Sequence, residues 1–344
     1  MNLYRRIVLW TLILTSIVVV FGAYVRLADA GLGCPDWPGC YGKLTPTMAA
    51  EQILDAHSAD PFGPVSMPKA WKEMIHRYLA SAVGLLIIAI AAMAWRRRRD
   101  PGTDPVLATA LIGVVVFQGL LGMWTVTLLL KPAIVTAHLI GGMTTLGLLA
   151  WLHERARGRP RVQASGASVL ARVAFVLLAA QIVLGGWVST NYAALACMDF
   201  PTCHGSFWPE ADYSNAFHVV RELGMTAEGE LLSHEALTAI HWMHRVGALV
   251  AGVALLALGL RLRTTSATRM LGNALLVALA LQIALGIANV LLSLPLLLAA
   301  AHNAGAALLV VIMVGINYRV RNTAVTMEKG RGDNERAPHE NSYA

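Results

Sequence analysis

Charge is what this sequence has least of. Only 14% of its 344 residues are Asp, Glu, Lys or Arg, against about 25% in a soluble domain. With 56% hydrophobic residues, a soluble enzyme is excluded, although the length alone would suit roughly two soluble domains. Acidic residues are the scarcer sign, 20 against 27 basic ones, and the formal net charge is +7. An excess of that sign gathered on one face of a soluble module would suggest nucleic acid. Here the basic residues come in short bursts between apolar runs, so nucleic acid is excluded and the pattern is that of the cytoplasmic loops of a membrane protein. Cysteine is sparse as well, with four residues in all.

What is abundant is the long apolar run. A helix needs about 20 mostly apolar residues to cross the hydrocarbon core. Eight such spans are predicted, at 7–27, 75–95, 106–128, 132–152, 169–189, 240–260, 270–292 and 295–317. With the N-terminus in the cytoplasm, 19 of the 27 basic residues fall on that side, and an even number of spans returns the C-terminus there. Arg5-Arg6, an apolar stretch and Ala28-Asp29-Ala30 imitate a secretory signal with a cleavage site. The 19 uncharged residues between Arg6 and Arg26 exceed the usual apolar core of about 7–15, so the first run is read as a retained span. Two long loops, 29–73 and 190–239, lie on the outer side, and the polar tail from about 320 is expected to be disordered.

The two halves repeat. Cys34-x5-Cys40 in the first long loop matches Cys197-x5-Cys203 in the second. Each loop leads into a span carrying His-Arg, at His76-Arg77 and His244-Arg245, and each half ends on a span with one more histidine, His138 or His302. The separations are 62 residues (76 to 138) and 58 (244 to 302). Gln118 to Gly122, Gln181 to Gly185 and Gln282 to Gly286 share one pattern, with glycines that allow close helix packing. The expected fold is an all-α membrane protein of eight transmembrane helices, arranged as two four-helix bundles about a pseudo-twofold axis along the membrane normal. Its units are an N-terminal repeat (1–160), a C-terminal repeat (161–318) and a cytoplasmic tail (319–344).

Of 11 histidines, His76, His138, His244 and His302 lie inside spans near the outer side. One such histidine could be a neutral partner in an interhelical hydrogen bond. Two pairs in register between halves point instead to ligands. Two imidazoles per bundle suit the axial positions of a haem iron, whereas zinc would need three or four protein ligands. His57, His204, His218 and His234 in the loops, His153 at a cytoplasmic end and His339 in the tail are read as solvated. Glu73, one helical turn outward from His76 on the same face, is a carboxylate that can accept a proton or stabilise developing positive charge. The plainer reading is a solvated acid at a helix start. His241 holds the equivalent position in the second half. Arg77 and Arg245 are candidate partners of haem propionates, or they snorkel to head groups. The cysteines are read as two local disulfides, 34–40 and 197–203, on an oxidising side of the membrane. They serve as loop staples or as redox-active dithiols.

The run Gly31-Leu32-Gly33-Cys34-Pro35-Asp36-Trp37-Pro38-Gly39-Cys40-Tyr41-Gly42 resembles the first-loop signature of the bacterial haem A synthase family. Glu73-x-x-His76-Arg77 resembles its second-helix motif, and Thr136-Ala137-His138-Leu139, the 197–203 run, His244-Arg245 and His302 follow in order. The resemblance covers about 5–318. It implies an oxidoreductase of the bacterial inner membrane that acts on a CH group. The C8 methyl of haem O is oxidised to a formyl group through hydroxylated intermediates, with oxygen from water, to supply haem A for cytochrome oxidase. It implies that His244 and His302 hold haem b as cofactor, and that His76 and His138 hold the substrate haem O beside Glu73 as the catalytic residue. Haem O synthase and an electron acceptor are the partners it suggests. Two other functions fit the residues less well. A dihaem b-type electron-transfer cytochrome would make no modified haem. A repeat-built transporter would place its polar groups near the midplane, whereas these crowd toward one side.

Overall fold

The computed structural model describes residues 2–163 and 166–321; the rest of the expected tail, with His339, lies outside the described residues. In chain order the helices are α1 (Leu3–Leu27), α2 (Ala50–Ala59), α3 (Met67–Arg96), α4 (Pro105–Thr127), α5 (Pro132–Arg157), α6 (Ala167–Thr190), α7 (Tyr213–Ala216), α8 (His234–Arg263), α9 (Ser266–Leu291) and α10 (Leu296–Arg319). Among the described residues, eight of these, all but α2 and α7, are long and apolar enough to cross a membrane. Many of their large apolar side chains face outward, such as Leu85 (70% exposed), Leu249 (69%), Val176 (66%) and Val277 (60%). Exposed runs of this kind suit hydrocarbon, and in a helix every backbone hydrogen bond is met within the segment.

The helix ends are written locally. Asn2 caps α1 through the backbone N–H of Arg5 (2.9 Å). Asp104 caps α4 through Leu107 N–H (3.1 Å), with Pro105 in the first turn, where its missing N–H costs nothing. Gly158 ends α5 with φ +62°, a left-handed cap that glycine adopts freely.

Two spans begin well before the predicted start, by eight residues in α3 and six in α8. Helix α3 starts at Met67 rather than 75, and α8 at His234 rather than 240, so the long loops end sooner than 73 and 239. Hydropathy marks only the part of a helix fit for lipid. The hydrogen-bonded backbone continues into the loop region through Lys69, Lys72 and Glu73. A further departure lies at the arginine-rich side, where Val162–Gln163 (β1) pairs in parallel with Val320–Arg321 (β2).

Helices α1, α3, α4 and α5 pack in sequence and close back on themselves, forming one four-helix ring. Helices α6, α8, α9 and α10 close a second. The rings meet along α1–α10, α5–α10 and α5–α6. Their joint is apolar, built from side chains such as Leu146, Leu149, Ala171, Leu309 and Met313.

The two cysteine loops have one design. Disulfides join Cys34 to Cys40 and Cys197 to Cys203. Within each turn an aspartate accepts from two backbone N–H groups: Asp36 from Tyr41 and Gly42 (2.6 and 2.7 Å), Asp199 from His204 and Gly205 (2.7 and 2.9 Å). Those donors sit at positive φ in both loops, the geometry in which successive N–H groups converge on an anion.

Candidate functional site

The four span histidines stand where neighbouring helices approach closely. The edge of each imidazole rests on a glycine of the adjoining helix. A Cβ at Gly22, Gly122, Gly185 or Gly286 would lie 2.7, 3.2, 3.0 or 3.1 Å from Cε1 of His76, His138, His244 or His302. The rings of His76 (α3) and His138 (α5) face each other within the first ring of helices, centroids 6.5 Å apart, with Phe21 6.4 Å from His76. In the second ring, His244 (α8) and His302 (α10) rest on Gly185 of α6 and Gly286 of α9. Nδ1 of His76, His138 and His302 is buried without a hydrogen-bond partner, an arrangement that costs free energy unless a ligand engages the ring.

These residues fit a haem. Two metal–imidazole bonds of about 2 Å each, with the half-widths of the rings, span roughly 6 Å, close to the observed 6.5 Å. Among the described residues no group of three or more His, Cys, Asp or Glu side chains is placed to hold a bare ion. A porphyrin supplies the four equatorial ligands itself and needs only the axial pair.

One turn outward from the histidines, each ring is tied to its disulfide loop. Glu73 is buried (4% exposed); its Oε2 accepts the backbone N–H of Cys34 (2.9 Å), and its Oε1 is paired with Arg77. Arg77 in turn donates to the carbonyls of Asp36 (2.8 Å) and Gly39 (2.6 Å). In the second half, His241 lies beside the backbone N–H of Cys197 (Nδ1, 3.3 Å) and Nε of Arg245 (Nε2, 3.2 Å). Arg245 donates to the carbonyls of Asp199 (2.8 Å), Thr202 (2.7 Å) and Cys197 (2.9 Å). The two halves therefore share one scaffold, with a carboxylate in one and an imidazole in the other. Glu73 is not a solvated acid at a helix start, and Arg77 and Arg245, the candidate propionate partners, donate to loop carbonyls. His153, read as solvated, is buried at the arginine-rich end of α5.

Sequence reasoning passed over three groups. Gln118, Gln181 and Gln282 were visible only as a repeated pattern, yet their amides contact the histidines (Nε2 of Gln118 to His138 O, 2.7 Å; of Gln181 to His244 O, 3.0 Å). Arg26 of α1 reaches the end of α6, donating to the Tyr192 hydroxyl (2.6 Å) and the Ser189 carbonyl (3.2 Å), and so clasps the two rings. Arg221 is buried in the second long loop and donates to Asn191 Oδ1 (2.6 Å); desolvation lowers its pKa below the usual arginine value. No local spacing announces such contacts.

Eight membrane-length helices in two closed rings, each with a pair of histidines beneath a disulfide loop, define an integral membrane protein with a duplicated histidine site. The chain belongs to the COX15-CtaA family of cytochrome oxidase assembly proteins, whose family model matches residues 5–314. It is similar to the heme A synthase of Shewanella oneidensis, 43% identical over 313 residues, 90% of this chain and 94% of that protein. It also resembles the heme A synthases of Caulobacter vibrioides (29% identical; 92% of this chain, 96% of that protein) and Rhizorhabdus wittichii (26%; 88% and 89%).

Proposed function

We propose that this protein is a haem A synthase, an oxidoreductase converting the C8 methyl of haem O to a formyl group. The observation that carries the reading is the facing pair His76 and His138 with Glu73 one turn away, in a chain so similar to heme A synthases. The net change is R–CH3 + H2O → R–CHO + 4 H⁺ + 4 e⁻, so an electron acceptor and a route for protons are both required. On this reading residues 1–160 hold the substrate haem through His76 and His138. Residues 161–318 hold haem b through His244 and His302, and the two halves are related by a pseudo-twofold axis. That relation is supported by the matching helix neighbours, since α1–α10 and α6–α5 are one contact seen twice.

Haem b, when bound, supplies a one-electron carrier. The protein's own groups do the rest. The two imidazoles orient the substrate macrocycle, and the helices around them exclude bulk water. Glu73 is held still by Cys34 N–H and Arg77, and its negative charge favours positive charge developing at the methyl carbon. The carboxylate can also take up a proton released there. His241 has no such charge to offer, which assigns the chemistry to the first half. The basic residues support an orientation in the bacterial inner membrane with both termini cytoplasmic and the disulfide loops outside, and residues 319–344 as a cytoplasmic tail. Haem O synthase is a reasonable donor of substrate.

The deciding experiment is to purify the protein, extract its pigments and separate them chromatographically. Haem b together with haem O, a hydroxylated form or haem A is expected. Haem b alone at two per chain would overturn the synthase in favour of a dihaem electron-transfer cytochrome.

A further inference from the structure

Three glutamines stand against three of the four histidines, and the fourth place is apolar. Gln118, Gln181 and Gln282 each lie four residues before the glycine on which a histidine rests, Gly122, Gly185 and Gly286. The amide nitrogen of Gln118 donates to the backbone carbonyl of His138 (2.7 Å). That of Gln181 donates to the carbonyl of His244 (3.0 Å) and lies 3.0 Å from Nδ1 of the same ring. That of Gln282 is 3.3 Å from Nε2 of His302. The amide oxygen of all three is buried without a partner. Each oxygen also occupies the notch of a glycine three residues past its histidine, at Gly141, Gly247 and Gly305, where a Cβ would overlap it. Glutamine and glycine therefore work as a pair: the glycine makes the space in which the amide lies across the histidine's helix. At His76 both are missing. Four residues before Gly22 stands Val18, and three past His76 stands Leu79.

An imidazole that binds metal through one nitrogen carries a proton on the other, and donating that proton fixes the ring and strengthens it as a ligand. The amides of Gln181 and Gln282 lie 3.0 and 3.3 Å from a ring nitrogen, and an amide offers the imidazole both a donor and an acceptor; the Gln118 amide holds His138 through its main chain. Valine and leucine offer neither.

We propose that Gln118, Gln181 and Gln282 are positioning residues that lock three of the axial histidines, and that Val18 and Leu79 leave His76 as the ligand that lets go. This rests on the division of halves proposed above. The resident haem b is locked on both faces, whereas the substrate haem is locked by His138 alone and is exchanged by release of His76, on the α1–α3 side.

The test uses the full-length protein in detergent, loaded with haem, and an excess of apomyoglobin to capture whatever is released; the remaining pigment is extracted and separated over time. Haem O is expected to leave at least about ten times faster than haem b, since losing such an outer contact typically costs 10–100-fold in metal affinity. Val18→Gln with Leu79→Gly should slow the release of haem O by about the same factor and leave haem b alone. Gln282→Leu should speed the release of haem b, and Gln282→Glu, which keeps an acceptor oxygen, should restore it. Unchanged release in the first variant, or in Gln282→Leu, overturns the proposal. Should the double substitution prevent folding, the comparison of Gln282→Leu with Gln282→Glu decides alone. Failure of the functional reading looks different: two haem b per chain and no haem O or A. The release curve would still have two phases, of which Val18→Gln with Leu79→Gly should slow only the fast one.

Discussion

At the scale of single residues, Glu73 and His241 have equivalent neighbours, a disulfide cysteine's N–H and an arginine, and opposite capacities. A carboxylate has two oxygens and accepts from Cys34 N–H and from Arg77 at once. A neutral imidazole has one acceptor nitrogen, so Cys197 N–H and Arg245 compete for it. The first half can thus hold a fixed negative charge beside its chamber, and the second cannot. Glu73→Gln should keep the shape and lose the charge. Haem A formation is expected to fall by about 100-fold or more while the haem b spectrum is unchanged; normal product in the extracted pigment would refute the role. Asp199 makes a second prediction. Its carboxyl is held well below the usual range by the Thr202 hydroxyl and by the N–H groups of Gly205 and His204. A depressed folded pKa means that its contribution is complete above the unfolded value of about 3.9 and is lost as pH falls below it. Protection against hydrogen exchange in the second disulfide turn, taken relative to the intrinsic rate at each pH, should therefore stay constant from neutral pH down to about 4 and fall below that. Asp199→Asn should show lower protection at neutral pH and lack the acid transition.

At the scale of elements, glycine decides how near two helices come. At the α8–α9 crossing a Cβ on Gly272 would lie 2.7 Å from the carbonyl oxygen of Gly259 and 3.1 Å from the backbone of Arg263. Those are backbone atoms and cannot swing aside. Gly272→Val should destabilise by about 1–3 kcal/mol or more, read as a lower melting temperature in detergent. Gly252, on the same α8, has nothing within 4 Å of its would-be Cβ. Gly252→Ala should be neutral or stabilising by up to about 1 kcal/mol. Equal effects at both positions would contradict the packing argument. The early starts of α3 and α8 belong to this scale as well. Their first turns are polar, so hydropathy cut them off, yet in α3 the part left out carries Glu73 to its loop.

At the scale of the whole molecule, two rings of four helices share an apolar joint, and Arg26 clasps their outer ends through Tyr192. Each ring carries its own pair of histidines, so the chambers should empty independently. His302→Leu is expected to lose the resident haem b while the purified protein still binds added haem O with unchanged stoichiometry. Loss of haem O binding with haem b retained would reverse the assignment of the halves.

Eight spans, a duplicated order of motifs, two cysteine pairs and four histidines were legible in the residue order, because each is a local or periodic property of the chain. Hydrophobic runs report what a helix can bury in lipid, and spacing reports which residues share a face. The tertiary structure alone decided that Arg77 and Arg245 grip the disulfide turns, and that Glu73 is buried against Cys34. It alone brought three glutamine–glycine pairs against histidines. Those contacts join residues on different helices, 20 to 63 positions apart for the glutamines and their histidines. Their geometry depends on how closely the backbones approach, which is set by the packing of whole helices and leaves no mark on any one segment.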